Sequence, residues 1–158
     1  MMLATPRPTL CLFEPDIPQN TGTILRLGAC LGLAVEVIEP CGFVLSEQTL
    51  KRSGMDYLDR AALIRHAGWD AFMNSLGQRR LVLLTTAAST PYTAHRFAPD
   101  DAILFGRESA GVPDAVHQAA HARLVVPMAP RTRSLNVAVT AAMVAGEALR
   151  QLDGFPSP

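Results

Sequence analysis

The chain has 158 residues, of which 49% are hydrophobic and 18% charged. That length fits a single domain spanning 1–158 and is enough to bury a core, and the composition excludes a disordered chain or a coiled coil. Fourteen basic and fourteen acidic residues cancel, so any footprint for nucleic acid must be local rather than a global field. Thirteen of the bases are Arg and only Lys51 is Lys, a bias toward planar, bidentate phosphate contacts. The three cysteines, Cys11, Cys30 and Cys41, show no CxxC spacing. They suit neither a disulfide framework nor a zinc ribbon, and Cys30 reads as buried filler. The start, MMLATPRPTLCLF, lacks the pattern of a signal peptide. No run approaches the roughly 18–20 apolar residues of a membrane span. A soluble, cytoplasmic protein is expected.

Short apolar runs alternate with helical patterns. Thr9–Phe13 reads as a buried strand broken by Pro15 and Pro18. Asn20 or Thr21 then caps a helix to about Leu31, with Ile24, Leu27, Gly28 and Leu31 on its apolar stripe. Ala34–Ile38 is a second strand, and 46–53 a short polar helix or loop. Ala61–Arg65 reads as a third strand, Trp69–Gln78 as a helix and Leu81–Thr85 as a buried strand. After a loop of Ser, Thr and Pro come a strand at Ala102–Phe105, a short helix at Pro113–Ala120 and a strand at Leu124–Val126. Ser134 is placed to cap a last helix, Leu135–Leu152, with Leu135, Val139, Met143, Gly146 and Leu149 close to one face. The pattern predicts an α/β fold: a mostly parallel sheet with helices on both faces. Ligands of such sheets bind beyond the carboxyl ends of the strands. The segments of interest are therefore 14–22, 85–90, 106–113 and 127–136.

Gly106-Arg107-Glu108-Ser109-Ala110-Gly111-Val112-Pro113 follows a strand and precedes a helix. That is the context of a ligand loop, or of a glycine-punctuated turn. It is no P-loop, since Val112-Pro113 stands where Lys and Ser/Thr belong. Arg26 points away from the apolar stripe and can hold a phosphate, or is a solvated surface Arg. Asn20 is a helix cap or an amide facing the crevice. His117 and His121 have the spacing of a zinc-protease helix, but Gln118 replaces the required Glu, so no metal is expected. Gly28 and Gly32 form a GxxxG pair, which outside a membrane signals close packing. Aromatic residues are only 6% of the chain, too few for an evident base-stacking platform.

Three segments together carry a resemblance. EPDIPQNTGTILRLGACLG (14–32), LFGRESAGVP (104–113) and VPMAPRTRSLNVAVTAAMVAGEALRQL (126–152) resemble, in order and spacing, the three signature motifs of the SPOUT superfamily of RNA methyltransferases. The small size and the segment KRSGMDYLDRAALIRH (51–66) are similar to its TrmL type, which acts on the wobble nucleotide of tRNA.

The resemblance implies a C-terminal deep trefoil knot, which periodicity would not suggest because threaded chains are rare. It implies S-adenosyl-L-methionine as methyl donor, S-adenosyl-L-homocysteine as product and no metal. The acceptor would be the ribose 2′-OH of cytidine-34 or modified uridine-34 of tRNA, with tRNA-Leu isoacceptors expected. By the same similarity the donor is held by backbone around Leu84, Gly106 and Val126 and by Ser134, while Arg26, Asn20 and Asn136 match the catalytic set. A Gly at 106 would allow close approach to the donor. The family forms homodimers, and the last helix, with Ala138, Ala141, Ala142, Ala145 and Gly146, is expected at the interface with the first. Two residues depart from the family pattern: Ala138, where Ser is frequent, and Arg107, where Pro or Asn is common. The alternatives are the same chemistry on ribosomal RNA, a noncatalytic RNA-binding module of this fold, or a flavodoxin-like cofactor carrier.

Overall fold

The computed structural model describes residues 5–52 and 62–158. Among these, seven strands are β1 (Thr9–Phe13), β2 (Val35–Ile38), β3 (Leu63–His66), β4 (Leu81–Leu84), β5 (Thr90–Pro91), β6 (Ala102–Phe105) and β7 (Ala122–Val125). They form one sheet in the order β3-β2-β1-β6-β4-β7-β5, and every pairing is parallel. Helices α1 (Pro18–Leu31), α2 (Glu47–Arg52), α3 (Trp69–Leu76), α4 (Asp114–Ala119) and α5 (Val137–Leu152) connect or follow them. The segment 53–61, including Ala61 and most of the KRSGMDYLDR stretch, lies outside the described residues.

Alternating side chains along the central strands build two cores. Leu10, Leu12, Val82, Ile103 and Phe105 pack with α1, α2 and α5 on one face. Cys11, Phe13, Leu81, Leu83 and Leu104 pack with Phe72 and Leu76 of α3 and Val116 of α4 on the other. Strands buried on both faces read as the continuous apolar runs seen in the sequence.

Several local expectations need correction. Neither Asn20 nor Thr21 caps α1: Ile17 is the N-cap and Pro18 opens the helix, because a proline's fixed φ and missing N–H suit that first position. Asn20 sits inside the first turn with its side chain free for a distant partner. Ser134 does not cap α5. Asn136 does, its Oδ1 accepting from the N–H groups of Ala138 and Val139. The 85–90 stretch read as a loop ends in the two-residue strand β5, which is too short to leave a periodic signal. Cys30 is exposed, not buried.

The last helix turns a different face inward from the one its larger residues suggested. Ala138, Ala141, Val144, Ala145, Ala148 and Leu149 are buried, whereas Leu135, Val139 and Met143 are 40%, 48% and 38% exposed. Ala138, Ala141 and Ala145, expected between subunits, lie instead in the core that α5 shares with α1. Small side chains there let the two helices approach closely.

Gly28 is the tight point of α1. A Cβ on it would lie 2.6 Å from the carbonyl oxygen of Leu33 and 2.9 Å from Val35 Cγ2. The second glycine of the pair, Gly32, has φ 70° and ends α1 in a left-handed cap, so the two serve different purposes. Gly28→Ala should destabilise the fold by roughly 1–3 kcal/mol through overpacking, measured by urea denaturation.

One buried ionic cluster ties β2 to its neighbours. Glu36 is 2% exposed. It accepts from Thr9 Oγ1 at 2.7 Å, Arg79 Nη1 at 2.8 Å and His66 Nε2 at 2.9 Å. Burial alone would push its carboxyl up. The bonds from Arg79, Thr9 and His66 outweigh burial and bring it from 4.5 down to about 2. A carboxyl lowered on folding adds stability above its unfolded value and loses it as pH falls through the folded one. The difference corresponds to about 3 kcal/mol. Stability should therefore drop as pH falls from 4.5 toward 2. Glu36→Gln should be less stable at neutral pH, because Arg79 loses its charged partner, and its stability curve should be flatter over that acid range.

Candidate active site

All the described strands run one way, so their carboxyl ends share one edge of the sheet. There the segments after β1, β4, β6 and β7 enclose a cavity of about 430 Å³, within the range of small-molecule sites. Its walls include Asn20, Leu84, Gly106, Val126, Ser134 and Asn136. Six of the seven residues singled out from sequence thus meet in one place. The seventh, Arg26, is exposed on α1 and is not among the cavity-lining residues. It stands six residues beyond Asn20, about 9 Å along the helix axis.

The strand order crowds this edge. Because β7 lies between β4 and β5, the connection 85–89 must cross the end of β7. It does so beside Leu124, whose carbonyl accepts from the Thr85 N–H at 2.9 Å. The chain leaving β7 enters the cavity wall through Val125, Val126 and Met128 and returns through Ser134 to Asn136.

Gly106 has a reason within its own loop. A Cβ there would meet the backbone of Gly111 at 2.8 Å. Arg107 and Gly111 exchange N–H···O bonds at 3.0 and 2.8 Å, closing residues 106–111 into a tight loop, and Gly111 has φ 65°. Both glycines are needed by the loop itself, before any ligand is considered.

Sequence reasoning passed over Asp16 and Glu108 as site residues. They bond reciprocally: the Asp16 N–H donates to Glu108 Oε2 at 3.1 Å, and the Glu108 N–H donates to Asp16 Oδ1 at 3.2 Å. The Ser109 hydroxyl also donates to Asp16 Oδ2. Burial, then the nearby Asp16 carboxyl, pushes the Glu108 carboxyl above the usual range, whereas its hydrogen bonding to Glu108 holds Asp16 below it. Arg107 lies 3.7 Å from Glu14 and 3.8 Å from Asp16, and among the described residues its buried Nε has no hydrogen-bond partner. The only earlier signal was position, since Asp16 and Glu108 each follow a strand end.

Glu108 continues the network inward. Asn20 Nδ2 donates to Glu108 Oε1 at 3.3 Å, and Asn136 Nδ2 donates to Asn20 Oδ1 at 3.0 Å. Asn136 Oδ1 receives the N–H of Ala138 at 2.8 Å and of Val139 at 3.3 Å. The three motif segments are thereby joined side chain to side chain. Among the described residues no group of His, Cys, Asp and Glu is arranged to hold a metal ion. His121 instead accepts the Leu81 N–H on its Nδ1 at 2.8 Å. No helix among them is long and apolar enough to cross a membrane.

The SpoU rRNA Methylase family model matches residues 7–146. The tRNA (cytidine(34)-2′-O)-methyltransferase of Beijerinckia indica is 60% identical over 145 residues, 90% of this chain and 91% of that one. A solved structure described as giving insights into the 2-OH methylation of C/U34 on tRNA matches with a TM-score of 0.89 at 38% identity. It covers 94% of this chain and 98% of its own. An AdoMet-bound rRNA methyltransferase from Sinorhizobium meliloti shares the fold, with a TM-score of 0.83 at 24% identity over 96% of this chain and 59% of that one. With the family model matching residues 7–146 and a relative 60% identical along nine-tenths of its length, this chain belongs to the SpoU rRNA Methylase family.

Proposed function

We propose that the chain transfers the methyl group of S-adenosyl-L-methionine to the ribose 2′-OH of nucleotide 34 of tRNA, cytidine or modified uridine, in tRNA-Leu isoacceptors. One observation carries this reading. The strand-end cavity is lined by all three motif segments, in a chain that matches a tRNA (cytidine(34)-2′-O)-methyltransferase along 90% of its length. A cytoplasmic site of action follows from the tRNA substrate.

The cavity suits the donor. Its volume is adequate, Leu84, Phe105, Val126 and Leu135 supply apolar surface, and Thr85, Ser134 and Thr140 are polar residues of its lining. Leu84, Gly106, Val126 and Ser134 would hold it. When bound, the donor supplies an electrophilic methyl group on a sulfonium centre. The task of the chain is then alignment of the hydroxyl. A guanidinium offers donors and no acceptor, so Arg26 is not assigned as the base. Its role is to hold the RNA phosphate and 2′-OH in place, with the phosphate or a water taking the proton. Asn20 and Asn136, which line the cavity, would complete the catalytic set. We read the 126–136 segment, drawn past the 85–89 crossing, as the trefoil knot of the family.

A homodimer is part of this reading. Val139 and Met143 on α5 and Ile17 at the start of α1 leave apolar surface exposed at 48%, 38% and 39%. Such surface is expected to find a partner when contiguous.

Labelled donor incubated with total RNA from a strain lacking this protein should yield a 2′-O-methylated pyrimidine at position 34 of tRNA. Label found only in ribosomal RNA would overturn the substrate assignment. Arg26→Ala should lower transfer by at least about 100-fold while donor affinity, read by calorimetry, is kept. Met143→Glu should shift the sedimenting species from dimer to monomer.

A further inference from the structure

We propose that Glu108, braced by Asp16, is a positioning residue whose carboxylate sets the direction of a hydrogen-bond relay through Asn20 and Asn136 to the start of α5, and so holds the donor cavity in shape. This inference rests on the function proposed above.

The direction follows from the far end. The N–H groups of Ala138 and Val139 can only donate, so Asn136 must turn its Oδ1 toward them. Its Nδ2 is then left to face Asn20, which must answer with Oδ1. Asn20 therefore presents Nδ2 to residue 108, where only an acceptor fits. Glu108 is that acceptor, and its other oxygen is taken by the Asp16 N–H. Asp16 in turn receives the Glu108 N–H and the Ser109 hydroxyl, so the loop cannot swing away without breaking bonds at both ends. An amide at 108 would have to keep its oxygen for one of two donors and set its NH₂ against the other. The fold alone does not require a carboxylate here, since the sheet and both cores are complete without it. The relay touches the cavity at Asn20, Glu108 and Asn136, so its failure should be felt there.

Reversing the polarity of one link tests the idea. Glu108→Gln places a donor against Asn20 Nδ2, and Asn20→Asp places a carboxylate against Glu108. Each single change should weaken S-adenosyl-L-methionine binding about tenfold, measured by calorimetry, with a matching rise in KM for the donor. In the double variant the new amide at position 108 donates to the new carboxylate at position 20, while the amide oxygen still accepts from the Asp16 N–H. The carboxylate at position 20 still accepts from Asn136. The double variant should recover most of the tenfold loss. A double variant as impaired as the singles, or unable to fold, overturns the relay, as does a Glu108→Gln protein with unchanged donor affinity. If the wild-type chain itself neither binds the donor nor transfers methyl groups, the proposed function fails instead.

Discussion

One direction of chain travel governs this molecule. With all seven strands parallel, every strand delivers its following segment to the same edge of the sheet. Helices on both faces then close off the remaining surfaces. A mixed sheet would scatter residues 16, 84, 106 and 126 over two edges. Here they converge, and one cavity results.

Convergence alone would leave four loops side by side without order. The order comes from polar groups whose hydrogen-bonding capacity is largely used inside the protein. Glu108, Asn20 and Asn136 each bond to a different segment. The cavity wall is thus held by side chains before a ligand arrives, which suits a reaction that depends on alignment. The buried cluster around Glu36 does comparable work away from the cavity, tying β1, β2 and β3 to Arg79 at the foot of β4. One network organises the sheet and the other organises its edge.

Glycines mark the closest approaches, for reasons that differ by position. Gly28 lets α1 lie against the turn into β2, and Gly106 lets a six-residue loop close on itself. A glycine beside a binding site invites explanation by the ligand. At 106 the chain's own backbone already forbids a side chain.

The order of amino acids was enough to set out the alternation of strands and helices, the parallel sheet, and which four segments would line its carboxyl edge. These depend on local patterns: apolar runs for strands buried on both faces, a 3.6-residue stripe for helices, and prolines that stop them. The resemblance to the SPOUT motifs, not these patterns, singled out Asn20, Leu84, Gly106, Val126, Ser134 and Asn136, all of which line the cavity. Folding in three dimensions was needed to settle that Asn136 rather than Ser134 caps α5, that alanines rather than Val139 and Met143 face the core, and that Asp16 and Glu108 belong to the site. The cap is made with neighbouring N–H groups, but the other two depend on partners far along the chain. Asp16 and Glu108 are 92 residues apart, and Asn20 and Asn136 are 116 apart. A local pattern can show that a residue is polar and near a strand end. Which distant group it meets is decided when the strands take their places in the sheet.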